Sequence, residues 1–253
     1  MFTMKIYPQL KYRRTLLLCA FIIALMLAAC STTTSTQLAQ KVATPAPTQP
    51  VSGAQLLAGP VTYVALGASD AVGVGTDQPA TQGYVPLLAQ KLPAGSHLIN
   101  LGVSGIHLHE ALSEELPVAL PINPGLVTIW LVANDFIANV SYNSYMQDLN
   151  TLLQQLRNGT HARIVMANLP DLTRLPIFAR LSKQQKATTL ATILRWNAGI
   201  SSIASRYNVS IVDLMAETSL LTSHPAYISG DGFHPSAAGY VQLANLFWQA
   251  INV

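Results

Sequence analysis

From residue 61 onward, short apolar runs alternate with longer segments in which apolar residues recur at helical spacing. The short runs are apolar on nearly every position, which is typical of strands that helices cover on both faces. They lie at residues 61–67, 97–102, 126–131, 162–169 and 209–214. The helical segments lie at residues 84–91, 107–115, 142–158, 186–207 and 236–251. This pattern predicts five buried strands, each followed by a helix.

The alternation predicts an α/β fold in which a parallel sheet lies between two layers of helices. In such sheets, ligands bind at the carboxyl ends of the strands. Ser69 comes directly after the first apolar run, so we expect it to be exposed at that edge. Taken alone, Ser69 followed by Asp70 is more typical of a turn or a helix cap. The other strand ends therefore decide how Ser69 is interpreted.

The first 60 residues differ in composition from the rest of the chain. Four basic residues between positions 5 and 14 precede an apolar run that is shorter than the roughly 20 residues of a membrane-spanning helix. This predicts a secretion signal at residues 1–29, with an uncleaved anchor helix as the alternative. The run ends in LAAC, which resembles the lipobox of bacterial lipoproteins and implies a lipid on Cys30. Residues 30–60, rich in Ser, Thr and Pro, predict a disordered tether before a globular domain at residues 61–253.

Removal of the signal changes the charge balance of the chain. The full sequence has 14 Lys and Arg against 11 Asp and Glu, a formal net charge of +3. Cleavage before Cys30 removes four basic residues and no acidic one, which leaves a nearly neutral chain without the charge for a basic face. This argues against a nucleic-acid partner. Because Cys19 lies in the signal and Cys30 would carry lipid, we expect no disulfide. We also expect a lipid-anchored protein outside the cytoplasmic membrane, and a monomer.

Polar residues follow other predicted strands in an arrangement that suits acyl transfer. Asp231 and His234 lie three residues apart just before the last helix. A carboxylate there can accept the imidazole N–H while the other ring nitrogen takes a proton from a serine. Gly105, after the second run, offers a backbone N–H, and Asn134, after the third, offers a side-chain amide. Such donors stabilise the negative charge that develops on a carbonyl oxygen when Ser69 attacks.

These segments resemble, in order, the conserved blocks of the SGNH (GDSL-type) hydrolases, over most of the predicted globular domain. The resemblance implies Ser69 as nucleophile, His234 as base and Asp231 as the residue that orients the base. It implies an oxyanion hole made by the backbone N–H groups of Ser69 and Gly105 and by the Asn134 side chain. It also implies a three-layer α/β/α sandwich of flavodoxin-like type with a parallel five-stranded sheet. No metal or organic cofactor is required for this chemistry.

The chain departs from the family pattern at two of these blocks, and SGIHLH lacks the Asp-Thr that often follows the second block. Ala68 stands where family members usually have Asp before the serine. The block that usually reads Gly-x-Asn-Asp is VAND here, with Val132 and Ala133 before Asn134. These departures bear on the substrate class and the rate more than on the existence of the site.

The resemblance implies a serine esterase or acylhydrolase that cleaves an ester through an acyl-enzyme at the cell surface. The sequence leaves open whether the substrate is a lipid, a lysophospholipid, a thioester or an acetyl ester of a glycan. Two alternatives from other classes remain. One is an O-acyltransferase acting on glycans, and the other is a noncatalytic ligand-binding lipoprotein with the same fold.

Two further motifs have alternative interpretations. The segment GASDA is one residue short of the Gly-x-Ser-x-Gly elbow of the α/β-hydrolases, but Ser69 follows the first strand and Asp231 lies close to His234, unlike in that fold. His107 and His109 could suggest a metal site, yet they lack the i, i+4 spacing of helical zinc ligands, so we expect them on a pocket rim. The apolar residues 175–178 suit either an acyl-binding loop or a packed surface loop equally well.

Overall fold

The computed structural model of the protein describes residues 59–252. The predicted signal at residues 1–29, the lipidation site Cys30 and almost all of the tether therefore lie outside the described residues. Among residues 59–252, no helix has the length and apolar character needed to cross a membrane.

A single sheet of five parallel strands forms the centre of the described domain. The strands are β1 (Thr62–Gly67), β2 (His97–Asn100), β3 (Leu126–Trp130), β4 (Arg163–Ala167) and β5 (Ser210–Val212). Their spatial order is β2-β1-β3-β4-β5, with Tyr63 opposite Leu126 in the register between β1 and β3. This order is that of the flavodoxin-like doubly wound fold. The predicted fold class and all five strands are confirmed.

Ten helices surround the sheet in the described part of the chain. They are α1 (Ser69–Val72), α2 (Pro79–Gln82), α3 (Tyr84–Ala89), α4 (Leu108–Glu114), α5 (Leu116–Ile122), α6 (Ala133–Ile137), α7 (Tyr142–Gly159), α8 (Lys183–Arg206), α9 (Thr218–Ser223) and α10 (Ala237–Ile251). Short 3-10 turns lie at Leu172–Arg174, Pro176–Phe178 and Pro225–Tyr227. Helices α1, α3 and α10 pack together in one layer, and α4, α5, α7 and α8 in the other. The result is a three-layer α/β/α sandwich.

Aromatic side chains hold each helical layer together. In one layer, the rings of Tyr84 on α3 and Phe247 on α10 stack with centroids 4.9 Å apart. In the other, Trp196 on α8 lies 4.8 Å from the ring of Tyr145 on α7. Because both pairs are buried, they remove large apolar areas from water, which makes the docking of these helices favourable.

Strand β2 differs from the expectation that every strand is covered on both faces. Its residues His97, Leu98 and Asn100 are exposed, with Leu98 at 36%. The strand lies at the edge of the sheet and pairs only with β1. An edge strand has a neighbour on one side only, so its apolar sequence does not guarantee burial.

Candidate active site

Ser69 begins α1, two residues after the end of β1 at the carboxyl edge of the sheet. The expectation of an exposed serine is wrong, since Ser69 is only 8% exposed. The ring of His234 lies against its hydroxyl, with Nε2 2.8 Å from Ser69 Oγ. The candidate nucleophile is therefore part of the wall of the site rather than of an open turn.

The loop before α10 positions Asp231 and His234. Asp231 Oδ1 accepts hydrogen bonds from the backbone N–H groups of Phe233 (2.8 Å) and His234 (3.0 Å). The Ser229 hydroxyl donates to the same oxygen at 2.7 Å. Ser236 then caps α10, because its Oγ accepts a backbone N–H from the first turn of the helix. Asp231 thus fixes the loop with one oxygen and has the other free for the imidazole.

Ser69, His234 and Asp231 form one continuous hydrogen-bonded line. His234 Nδ1 lies 2.6 Å from Asp231 Oδ2 on the side opposite Ser69. Because a carboxylate only accepts, Nδ1 carries the proton and Nε2 is left to accept the serine proton. Burial acts to raise the pKa of Asp231, but hydrogen bonds from the His234 side chain, two backbone N–H groups and Ser229 outweigh it and hold that pKa well below its ordinary value. Asp231 is therefore ionised at neutral pH.

The three predicted oxyanion donors follow β1, β2 and β3 at the same edge of the sheet. The backbone N–H groups of Ser69 and Gly105 meet no acceptor among residues 59–252. Gly105 has a φ of +84°, a left-handed conformation that favours glycine in this loop. The Asn134 side-chain nitrogen donates to the carbonyl of Ile106 at 2.9 Å. This bond fixes the amide and leaves its second N–H for a ligand.

Two buried carboxyl groups that sequence analysis did not identify hold these loops in place. Asp135 accepts the backbone N–H of Leu108 at 3.0 Å and so joins α6 to the start of α4. Glu115 accepts the N–H of Gly67, the last residue of β1, with its two oxygens at 3.2 and 3.3 Å. Burial raises the pKa of Asp135, and it raises the pKa of Glu115 to about 8. In the sequence, Asp135 could be noticed only because it directly follows Asn134, and nothing marked Glu115.

The two histidines considered as a metal site each pair with a carboxylate. His107 Nδ1 lies 3.2 Å from Glu110, and His109 Nδ1 lies 3.2 Å from Asp148. In residues 59–252, no group of three His, Cys, Asp or Glu side chains is placed to hold a metal ion. The structure therefore gives these histidines carboxylate partners and no shared ligand.

Two of the residues that depart from the family pattern, Ala68 and Val132, are buried. Ala68 is 6% exposed and Val132 is 1% exposed, and both pack in the hydrophobic core. Asp70, next to the candidate nucleophile, is also buried, and burial raises its pKa to about 6. At both positions, the residue that differs from the family pattern therefore packs in the core beneath the site.

Comparison with known proteins identifies the family of the chain. The model of the GDSL-like lipase/acylhydrolase family matches residues 65–242. The chain belongs to this family. It is a serine hydrolase that acts on esters. A search of curated protein sequences gave no match.

Solved structures show the same fold across nearly their whole length. TesA has 22% identity and a TM-score of 0.59, over 75% of this chain and 97% of that chain. Axe2, an acetylxylan esterase from Geobacillus stearothermophilus, has 18% identity and a TM-score of 0.63, over 78% of this chain and 96% of that chain. LAE5, an alpha/beta hydrolase enzyme from the metagenome of Lake Arreo, has 20% identity and a TM-score of 0.62, over 78% of this chain and 97% of that chain. At these identities the likeness shows the fold alone.

Proposed function

We propose that this GDSL-family acylhydrolase cleaves carboxylic esters through an acyl-enzyme on Ser69, with His234 as general base and acid and Asp231 as its orienting carboxylate. One observation carries the proposal: the unbroken line of hydrogen bonds from Ser69 Oγ through both ring nitrogens of His234 to Asp231. A binding site has no need of this arrangement, whereas a serine nucleophile does.

In the first half of the reaction, Ser69 Oγ attacks the ester carbonyl carbon while its proton passes to His234 Nε2. The imidazolium that forms is stabilised by the ionised Asp231 at Nδ1. Collapse of the tetrahedral intermediate breaks the bond to the leaving oxygen, and Nε2 returns the proton to that oxygen. The alcohol leaves and the acyl group remains on Ser69.

In the second half, a water molecule takes the place of the alcohol. His234 Nε2 accepts a proton from the water, and the hydroxide oxygen attacks the acyl carbon. The bond from carbon to Ser69 Oγ then breaks, and the proton on Nε2 returns to Oγ. The products are one carboxylic acid and one alcohol for each ester and water consumed.

Both tetrahedral intermediates carry negative charge on the former carbonyl oxygen. The N–H groups of Ser69 and Gly105 and the second N–H of Asn134 are the donors proposed to receive it. Asn134 is held by Ile106 before substrate arrives, so that little reorganisation is needed at the moment of reaction. Its contribution belongs to the transition state more than to substrate binding.

The experiment that tests this proposal compares two variants with matched controls. Ser69→Ala should lower ester hydrolysis to background, and Asn134→Ala should lower kcat by roughly 10²–10³ with a smaller change in KM. The controls are Ser202→Ala and Asn143→Ala, which change exposed residues on α8 and α7. Steady-state kinetics on a short-chain aryl ester and thermal melts of each variant give the readout. Equal turnover by wild type and a folded Ser69→Ala variant would refute the proposal.

We also propose that the enzyme acts outside the cytoplasmic membrane, attached by a lipid on Cys30. The support is the basic and apolar leader that ends in LAAC before a Ser, Thr and Pro-rich segment. Cys30→Ser should move the protein from the membrane fraction to the soluble fraction or stop its processing. Cys19→Ser, inside the apolar run, is the control and should leave fractionation unchanged. An unmodified Cys30 in secreted protein, seen by intact mass, would contradict the proposal.

A further inference from the structure

A large apolar cavity lies behind the loop that contains His234. Its volume is about 760 Å³, counting the space open to solvent at its mouth. Most of its wall is apolar and comes from α9, α10 and the loop after β4. Its lining residues include Leu220 and Leu221 of α9 and Leu243 and Leu246 of α10. A concave, mostly apolar wall with a few polar groups is typical of sites for small apolar ligands.

This cavity adjoins the place where the substrate carbonyl is proposed to lie. A smaller pocket is lined by Ala68 and by Asn134, the proposed oxyanion donor. Asp70, Trp130 and Ala133 line both the smaller pocket and the apolar cavity. The two spaces therefore share one wall beneath the candidate nucleophile. An acyl chain on the carbonyl carbon would have to pass this shared wall to enter the apolar cavity.

We propose that the apolar cavity, here named the acyl pocket, holds an aliphatic acyl chain several carbons longer than acetyl, and that Asp70 controls how far this chain is accepted. The inference rests on the proposed function, because it assigns the cavity to the acyl side of the same ester. The leaving alcohol needs no such enclosure, since it departs to solvent after the first half of the reaction.

Helix α9 forms a thin cover over the acyl pocket. None of its six residues is buried, although Leu220 and Leu221 point apolar surface at the cavity. Without an occupant, these leucines gain only part of the stabilisation that burial provides. An acyl chain beneath α9 would remove that surface, and its own, from water.

Asp70 is the polar exception in the shared wall. It is only 7% exposed, and its carboxyl accepts no hydrogen bond from any other residue in the described part of the chain. The titratable groups that face it are His234 and Asp231 from the loop before α10, Tyr240 from α10 and Tyr84 from α3. Glu217 lines the same cavity. An apolar chain that passes a charged carboxylate removes water from it, which disfavours the charged form.

Burial raises the pKa of Asp70 to about 6, so the effect of this carboxyl group on a neighbouring acyl chain depends on pH. Below that value the folded protein holds a neutral acid beside the chain, and above it a carboxylate. Long acyl chains should therefore be favoured over acetyl as the pH falls through about 6. If a bound chain raises the pKa of Asp70 by one further pH unit, the preference changes by about tenfold.

The experiment measures the ratio of kcat/KM for octanoyl and acetyl esters of the same aryl alcohol. In wild type the ratio should be at least about tenfold, because each methylene buried is worth up to about fourfold, from about 0.8 kcal/mol per CH₂. Leu246→Trp and Leu221→Trp fill the acyl pocket from α10 and α9 and should each lower the ratio about tenfold. Leu194→Trp, which changes a half-exposed leucine on α8, is the matched control and should leave it unchanged. Thermal melts identify which variants fold.

Asp70→Asn tests the second half of the inference. In wild type, the ratio of kcat/KM for octanoyl over acetyl esters should rise as the pH is lowered from 7.5 to 5. In Asp70→Asn this ratio should not change with pH. A flat wild-type ratio, or the same slope in the variant, would overturn the role of Asp70.

Failure of the pocket and failure of the proposed function give different results. The acyl pocket is refuted if wild type hydrolyses the acetyl ester but its octanoyl-to-acetyl ratio of kcat/KM is near one. It is also refuted if Leu246→Trp has the same ratio as the control Leu194→Trp. In both cases the proposed esterase function is retained. If wild type hydrolyses neither ester, the proposed function fails, and calorimetric titration with dodecanoate decides the pocket. Binding that Leu246→Trp abolishes would support the pocket, and absence of binding to wild type would refute it.

Discussion

Replacement of Glu115 by Gln should change how the stability of the protein depends on pH. The Glu115 side chain is buried between α4 and α5 and accepts the N–H of Gly67 at the end of the nucleophile-bearing strand. Burial raises its pKa from 4.5 to about 8, although the hydrogen bonds from the backbone act in the opposite direction. The folded protein therefore keeps a proton on Glu115 at pH values where the unfolded chain has released it.

The sign and the size of the effect follow from this difference in bound protons. Between pH 4.5 and about 8 the folded state binds more protons than the unfolded state, so the free energy of unfolding falls as the pH rises. At about 1.4 kcal/mol per pH unit, the loss from Glu115 across this window is at most about 5 kcal/mol. Gln cannot ionise, so Glu115→Gln removes this loss. Any constant cost of the replacement is the same at both ends of the window.

The assay is urea unfolding of wild type and Glu115→Gln at pH 5 and pH 8.5, followed by tryptophan fluorescence. The difference in unfolding free energy between variant and wild type should shift in favour of the variant by several kcal/mol at the higher pH. Other titrating groups cancel in this difference. The control is Glu114→Gln, because Glu114 is the exposed residue directly before Glu115, at the end of α4. A difference that is the same at both pH values within about 1 kcal/mol would refute the reasoning.

Two further predictions concern the loop that carries the base. Asp231→Asn should lower kcat, by about 10⁴-fold in a comparable triad, because the amide leaves the imidazole of His234 in the wrong tautomer; stopped assays on the aryl ester measure it, and a loss below tenfold would contradict the assigned role. Gly75→Ala should lower both kcat and the melting temperature, since a Cβ there would lie 2.5 Å from the carbonyl oxygen of Pro235 and 3.0 Å from His234 Cβ, at a φ of +99°. Unchanged values for that variant would show that the loop moves freely.

The sheet could be predicted from the sequence because its strands are apolar on nearly every position. Burial on both faces leaves that signature in β1, β3 and β4, and the predicted ends differ from the observed ones by one or two residues. Edge strand β2 has the same signature without the burial, because apolar composition does not report the position of a strand in the sheet. The short helices α1, α2, α5, α6 and α9 were missed, since four to seven residues are too few to show helical periodicity.

The candidate catalytic residues could be predicted because Ser69 follows a strand end and because Asp231 and His234 lie within one short turn of each other. Their supports could not. Glu115 and Asp135 accept hydrogen bonds from backbone N–H groups that are distant in the sequence. Such contacts leave no mark in the sequence, because the backbone N–H group does not depend on the type of side chain. The sequence around Asp70 is typical of a turn, but its side chain is buried and faces Tyr84 and Tyr240 from two other helices.

The distance along the chain between Ser69 and His234 determines when the enzyme becomes active during its biosynthesis. The two residues are 165 positions apart, yet their side chains are in direct contact. The Tyr240 hydroxyl donates to the carbonyl of Val74 at 2.7 Å, so that α10 itself fastens the segment after the nucleophile. A nascent chain thus carries its serine from the first strand onward and has no base beside it until the last helix docks.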